Sequence, residues 1–176
     1  MHQTDAVASD FRVIVPETCS KMRSMSGIEL RPVTPANWQA CAALTVRADQ
    51  ARFVAPVTYY LCLCTYEDTW RPVAVVRDDL VVGFCMWGID DDGSAWIGGL
   101  LVDQSQQRTG VARAAVNALV DRFAGEPGCP GMALSYAPDN QAARALYRSI
   151  GFVETGETDD DGVEVVARRP FAGPGW

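Results

Sequence analysis

The chain has 176 residues, 48% of them hydrophobic and 21% charged, which is ordinary usage for one globular domain with its own core. Its net charge of −7 argues against nonspecific nucleic-acid or anionic-membrane binding, which needs a basic surface, and is compatible with a cationic small-molecule partner. A single histidine (His2) and a single lysine (Lys21) remove Ser-His-Asp and Cys-His nucleophile systems and histidine metal sites, and they argue against Schiff-base chemistry.

Residues 1–26 lack periodicity and carry no signal-peptide pattern, so they are expected to form a disordered N-terminal extension. One domain is expected over 27–170, with a short tail at 171–176. Ile28-Glu29-Leu30-Arg31 alternates as a strand. Thr34-Pro35 reads as a helix N-cap followed by proline at the first helical position. Trp38, Cys41, Ala42 and Thr45 recur at helical spacing, predicting a helix to about Ala48. Phe53 to Val57 breaks it, and a second helix is predicted from Thr58 to about Asp68. The cysteines at 41, 62, 64, 85 and 129, like Cys19, have neither zinc-knuckle nor Cys-x-x-Cys spacing. They read as small residues in apolar surroundings, and a reduced, cytoplasmic setting is expected. No apolar run reaches membrane-spanning length.

Val73–Val76 and Leu80–Ile89 are apolar runs joined by Arg77-Asp78-Asp79 and read as a hairpin. Asp90-Asp91-Asp92-Gly93 reads as a solvated hairpin loop. Ala95–Val102 is apolar on both faces, the mark of a central strand. Next comes Gln107-Arg108-Thr109-Gly110-Val111-Ala112, a turn opening an amphipathic helix. Gly110 lets backbone approach a ligand without an intervening side chain. The first helical turn offers unpaired N–H groups at the positive end of the dipole, a place for a phosphate or pyrophosphate. An ordinary strand-to-helix turn gives the same pattern, one glycine being a weak signal.

Val111, Ala112, Ala115, Val116, Leu119, Val120 and Phe123 form one helical stripe. Gly125–Gly131 is a loop and Met132–Tyr136 a strand. Asp139 or Asn140 caps a helix to about Ser149, and Gly151 ends it. Phe152–Thr155 and Val163–Ala167 form a last hairpin around Asp159-Asp160-Asp161-Gly162. This order indicates a mixed α/β layer fold.

Leu101-Val102-Asp103 followed by Gln107 to Ala112 resembles the acetyl-CoA signature of the GCN5-related N-acetyltransferases, Gln/Arg-x-x-Gly-x-Gly/Ala. Pro138-x-Asn140, Ala145-Leu146-Tyr147 and Ile150-Gly151-Phe152 resemble that family's second motif. Asp49-Gln50, Phe53-Val54-Ala55-Pro56, Val82-Gly83-Phe84 and Trp96-Ile97 are similar to its bacterial diamine and spermine/spermidine branch. The resemblance implies a mixed, mostly antiparallel central sheet with flanking helices, in which a bulge splays Ala95–Val102 from Met132–Tyr136. The pantetheine of acetyl-CoA would lie in the splay, paired with backbone of Leu101 and Val102. N–H groups of Gln107, Arg108, Thr109, Gly110, Val111 and Ala112 would wrap the pyrophosphate, with Arg113 close by. Asn140 would contact the cofactor arm, a role compatible with its capping its own helix. No metal is implied. Dimers are common in the family, which leaves a homodimer open.

Tyr147 stands seven residues after Asn140, two helical turns on and on the same side. Spacing alone favours a core tyrosine; the resemblance implies a general acid for the departing thiolate. The family's polyamine enzymes carry a strand glutamate as base, and Gly98, followed by Gly99, occupies the matching position. Asp49, Glu67, Asp68 and Asp103 remain as candidate bases, each equally readable as a solvated carboxylate, and a water chain to solvent is a further route. The glycine pair is expected to make room for a bulkier acceptor. An acetyl-cysteine route through Cys62-Leu63-Cys64 is disfavoured, since nothing nearby would generate a thiolate. The implied activity is direct acetyl transfer to a primary amine of a small cation, a diamine or polyamine, with Asp49, Glu67 or Asp68 holding a distal ammonium. An amine antibiotic, a protein N-terminus, or a non-catalytic acyl-CoA-binding module are the alternatives.

Overall fold

The computed structural model describes residues 22–23, 27–159 and 161–171. The expected disordered extension, apart from Met22 and Arg23, and the tail after 171 lie outside the described residues. In chain order the elements are β1 Met22–Arg23, β2 Ile28–Pro32, α1 Trp38–Ala42, α2 Val57–Tyr66, β3 Arg71–Arg77, β4 Leu80–Ile89 and β5 Ala95–Val102. There follow a single 3₁₀ turn at Gln104–Gln106, α3 Val111–Ala124, β6 Gly131–Tyr136, α4 Gln141–Ile150, β7 Val153–Thr158 and β8 Val165–Pro170. The strands form one sheet in the order β1-β2-β3-β4-β5-β6-β8-β7. Every neighbouring pair is antiparallel except β5 with β6.

The β3–β4 hairpin closes at Arg77↔Leu80. Asp78 and Asp79 between them both take positive φ, 48° and 62°, the twist that a tight antiparallel turn needs; aspartate is one of the few residues that tolerates it. Two core layers follow from the alternation of the strands. Ile28, Leu30, Val75, Ile97 and Leu134 face the buried stripe of α3 (Val111, Val116, Leu119, Val120, Phe123) and the inner side of α4. Ala74, Val76, Phe84, Met86 and Leu101 face Cys41 of α1 and Val57 of α2 on the other side. Each large residue of the α3 stripe contributes about 1.5–3 kcal/mol by burial, so this helix is fixed rigidly on the sheet.

Two differences from expectation have physical causes. The helix predicted from Thr34 to Ala48 is one short helix, α1, preceded by a turn in which the Trp38 N–H donates to the Thr34 carbonyl at 3.0 Å. It stops early because tertiary bonds compete for the backbone. The Gln104 N–H donates to the Thr45 carbonyl at 2.7 Å, and the Thr45 N–H donates to Asp103 Oδ2 at 3.1 Å. The expected domain start at 27 also leaves out β1, which pairs Met22↔Leu30 and Arg23↔Glu29. Among the described residues no helix is long and apolar enough to cross a membrane.

The feature that positions the site lies in mid-sheet. β5 and β6 pair only at Ala95↔Met132, Trp96↔Ala133 and Ile97↔Leu134, and from Gly98 onward they separate. On its other edge β5 changes register against β4, from Met86↔Gly98 to Phe84↔Leu101. Three steps on β5 thus oppose two on β4, a bulge, which bends the strand and sharpens its twist. Gly99 sits in it at φ +58°, a conformation other residues adopt at a cost.

Candidate active site

The turn after β5 is built to present backbone. Arg108 and Gly110 have φ of 61° and 84°. Two left-handed residues so close together reverse the chain, the kind of turn in which successive N–H groups can hold an anion. No side chain caps α3 and no acidic residue occupies its first turn, so its leading N–H groups and the positive end of its dipole stay available. A Cβ on Gly110 would meet nothing within 4 Å. Glycine is therefore required by the backbone conformation, and the open side is the one a ligand would approach.

Other elements hold this turn. Arg77 of β3 donates to Thr109 Oγ1 at 3.0 Å and to the Thr109 carbonyl at 3.2 Å. Gln107 Nε2 donates to Gln50 Oε1 at 2.8 Å and to the Val102 carbonyl at 3.1 Å. Asp103 accepts from Ser105 and from Thr45. Burial alone would raise its pKa, but these bonds hold the carboxyl below the usual range. That makes Asp103 a tie between loops.

The turn borders a cleft of about 700 Å³ that also takes in Leu101, Val102, Gln107, Arg108, Gly110, Val111, Ala112, Arg113 and Asn140. Nearly all the residues expected at a cofactor thus come together. Thr109 is turned toward Arg77 instead. Arg113 is partly occupied, its Nη2 donating to Ser149 Oγ at 2.7 Å. Asn140 caps α4 by accepting from the Ala143 N–H at 3.1 Å, and it still faces the cleft.

A second cleft, about 1130 Å³, opens on the far side of the splay. The two share Phe53, Val54, Leu100, Asn140, Ala143 and Tyr147. Tyr147 therefore stands where they meet. It is 8% exposed, and its ring packs on Tyr136 and Phe152 at centroid distances of 5.6 and 6.0 Å. Burial pushes its phenol well above the usual range, so the group is protonated at neutral pH. No hydrogen bond among the described residues engages its hydroxyl. A purely core tyrosine ordinarily has a satisfied hydroxyl; this one has no protein partner among the described residues and borders both clefts.

The larger cleft has an aromatic wall and an acidic mouth. A Cβ on Gly98 would come within 2.8 Å of Met86 and 3.1 Å of Trp70, and one on Gly99 within 3.0 Å of the Tyr60 ring. The expected extra room at the glycine pair is thus already filled by Trp70, Met86 and Tyr60. The acidic mouth comes from two hairpin turns, the first of which the sequence presents as a solvated loop. Asp90 and Asp91 line it from the β4–β5 turn, and Glu157, Asp159, Asp161 and Glu164 from the β7–β8 hairpin. Their alignment depends on β8 pairing with β6 and on β5 lying beside β6, and no local signal in the sequence reveals that.

The carboxylates singled out from sequence lie elsewhere. Asp49 borders the smaller cleft and pairs with Arg47 at 3.1 Å. Glu67 leaves α2 with an extended backbone that leads into β3, and neither it nor Asp68 is among the residues lining either cleft. Of the three carboxylates expected to hold a distal ammonium, Asp49 alone borders a cleft, the smaller one. Cys64 touches Met86 Sδ at 3.8 Å, and burial pushes its thiol up to about 11. It is a thiol, not a thiolate, at neutral pH, which agrees with the acetyl-cysteine route being disfavoured.

Residues 38–152 match the acetyltransferase (GNAT) family model. The chain is 28% identical to the spermine/spermidine N(1)-acetyltransferase of Bacillus subtilis over 154 residues, 81% of this chain and 98% of that protein. Among solved structures it is similar to aminoglycoside acetyltransferase AAC(6')-Ib in complex with coenzyme A, at TM-score 0.65 and 20% identity over 81% of this chain and 94% of that one. It is also similar to the Escherichia coli ribosomal-protein-S18-alanine N-acetyltransferase, at TM-score 0.63 and 21% identity over 84% and 96%.

Proposed function

Because the chain belongs to the acetyltransferase (GNAT) family and is accordingly an N-acetyltransferase using acetyl-CoA, we propose that its acceptor is a small polycationic amine, a diamine or polyamine. The observation that carries the reading is the joined pair of clefts: an anion-binding turn on one side, an acidic mouth on the other, and Tyr147 at the junction. A chain of ammonium groups suits a mouth with six carboxylates, Asp90, Asp91, Glu157, Asp159, Asp161 and Glu164. The likeness to a spermine/spermidine enzyme supports the same acceptor class.

In this reading the backbone of Leu101 and Val102 on the free edge of β5 pairs with the pantetheine arm. N–H groups from Gln107 to Ala112 hold the pyrophosphate, Arg113 adds positive charge and Asn140 contacts the arm. The neutral acceptor nitrogen attacks the thioester carbonyl carbon, the carbon–sulfur bond breaks, and Tyr147 gives its phenolic proton to the departing sulfur. A positioned proton donor of this kind contributes about 10²–10⁴-fold.

The test is thiol release from acetyl-CoA with spermidine, an aminoglycoside and a peptide with a free N-terminus. Turnover of spermidine well above the other two is expected. Preference for the aminoglycoside or the peptide would reassign the acceptor. Acetyl-CoA binding without turnover of any amine would leave a non-catalytic acyl-CoA-binding module.

A further inference from the structure

An acceptor amine must lose a proton before it can attack. With a reference pKa near 10.4, only about one molecule in 2,500 is neutral at pH 7. The residue at Gly98 offers no carboxylate for this, and Met86 and Trp70 fill its place. The register shows what lies across the gap. Continuing Ile97↔Leu134 by one step sets Gly98 opposite Ser135, at the point where β5 and β6 part. Ser135 Oγ donates to Glu164 Oε2 at 2.6 Å.

Glu164 is half-buried, and its backbone is tied to Asp159. Its N–H donates to Asp159 Oδ1 at 2.9 Å, and its carbonyl accepts from the Asp159 N–H at 3.0 Å. Among the described residues no arginine pairs with its carboxylate and no hydrogen bond engages Oε1. The other acids of the cleft are committed or peripheral. Asp90 accepts from Trp96 Nε1 at 3.0 Å, Glu157 faces Arg168 at 3.5 Å, and Asp159 caps its own turn. Asp91 and Asp161 are exposed at the rim. Glu164 also lies within electrostatic reach of Tyr60 and Tyr147, and its charge helps to raise both phenols.

We propose that Glu164 is the general base, reaching the acceptor amine from the β8 side of the splay in place of the side chain that Gly98 lacks. This rests on the reading that the amine meets the thioester at the junction of the clefts. The ammonium gives one proton to Glu164 Oε1, directly or through one water, and the freed lone pair forms the carbon–nitrogen bond. As the carbon–sulfur bond breaks, Tyr147 protonates the sulfur. The second nitrogen proton restores Tyr147, and Glu164 releases its proton to solvent. The sum is ammonium plus acetyl-CoA giving amide, free CoA thiol and one proton. Ser135 is the positioning residue.

Glu164→Gln keeps the oxygen to which Ser135 donates and removes only the basicity. With spermidine at pH 7 its kcat/KM should fall about 100-fold, while calorimetry shows unchanged acetyl-CoA affinity. The deciding readout is pH. The variant must wait for amine neutralised by solvent, so its kcat/KM should rise by about tenfold per pH unit up to the amine's own range near pH 10, and its deficit should shrink toward high pH. A structural defect leaves a deficit independent of pH. The titratable and charged groups that line the same cleft as Glu164 are Asp159, Asp161 and Glu157 of its hairpin, Arg168 on β8, Tyr136 on β6, Tyr60 on α2, Tyr147 on α4, and Asp90 and Asp91 of the β4–β5 turn. All are present in both proteins, so the ratio isolates Glu164. If Glu164→Gln fails to fold, Ser135→Ala should give a smaller, roughly tenfold loss with the same pH trend. Activity within twofold of wild type, or a pH-independent ratio, overturns the role of Glu164 alone. A wild type that turns over no amine overturns the proposed function with it.

Discussion

Tyr147 and Gly110 face the proposed site under different constraints, one from packing and one from backbone conformation. Tyr147 contributes a ring to the α3 side of the sheet and leaves its hydroxyl at the cleft junction. Tyr147→Phe should keep the packing and lower kcat by about ten- to a thousand-fold, with acetyl-CoA affinity unchanged. An equal kcat, with chemistry shown to be rate-limiting, would return Tyr147 to the core. Its phenol is pushed up by burial, so in wild type it should cause no loss of kcat below about pH 10. Gly110 carries a different constraint. Gly110→Glu forces a side chain to φ +84° and sets a negative charge where the pyrophosphate should lie. It should abolish acetyl-CoA binding in a folded protein, and calorimetry on the variant giving normal affinity would remove the turn from the cofactor site. A glycine ahead of a helix is a local pattern, so Gly110 can be singled out from the residues around it, whereas the acid role expected of Tyr147 comes from the family resemblance, its spacing alone favouring the core. Glu164 is not legible in sequence, since its meaning depends on Ser135 in a strand 29 positions earlier.

Among the elements, those whose limits are set locally match the sequence reading closely. α3 runs Val111–Ala124 and α4 ends at Gly151 in a left-handed cap, φ 97°. α1 departs because Thr45 and Val46 lie in a segment that Asp103 and Gln104 draw out into the next loop. That tie also gives a pH prediction. The carboxyl of Asp103 has a lowered pKa in the folded chain, so its contribution to stability is fully present above its unfolded value near 3.9 and is lost as pH falls below it. Asp103→Ala should lower the melting temperature at pH 7, modestly because the group is only partly buried. The difference from wild type should close as pH drops through and below about 4. A difference that stays constant between pH 7 and pH 3 would mean that Asp103 acts by shape and not by charge.

Across the whole molecule, the net charge of −7 is less informative than where the charge gathers. The sequence suggests a small cation as partner but assigns its binding to Asp49, Glu67 and Asp68 in the helical N-terminal part. The fold gathers the acidic turns of two distant hairpins instead, because β5, β6 and β8 are neighbours in the sheet. Asp91 and Asp161 are exposed at the mouth, where the proposed acceptor would bring a distal ammonium. Asp91→Asn and Asp161→Asn together should raise KM for spermidine severalfold and leave kcat nearly unchanged, the signature of binding shared equally by ground and transition states. The same pair should hardly alter KM for a short monoamine, which has no distal charge to lose. Added salt should narrow the gap between variant and wild type, since exposed pairs are screened over about 10 Å at 0.1 M. Equal KM values for spermidine in the two proteins at low salt would show that the acidic mouth does not select the acceptor, and would favour an acceptor that carries a single amine.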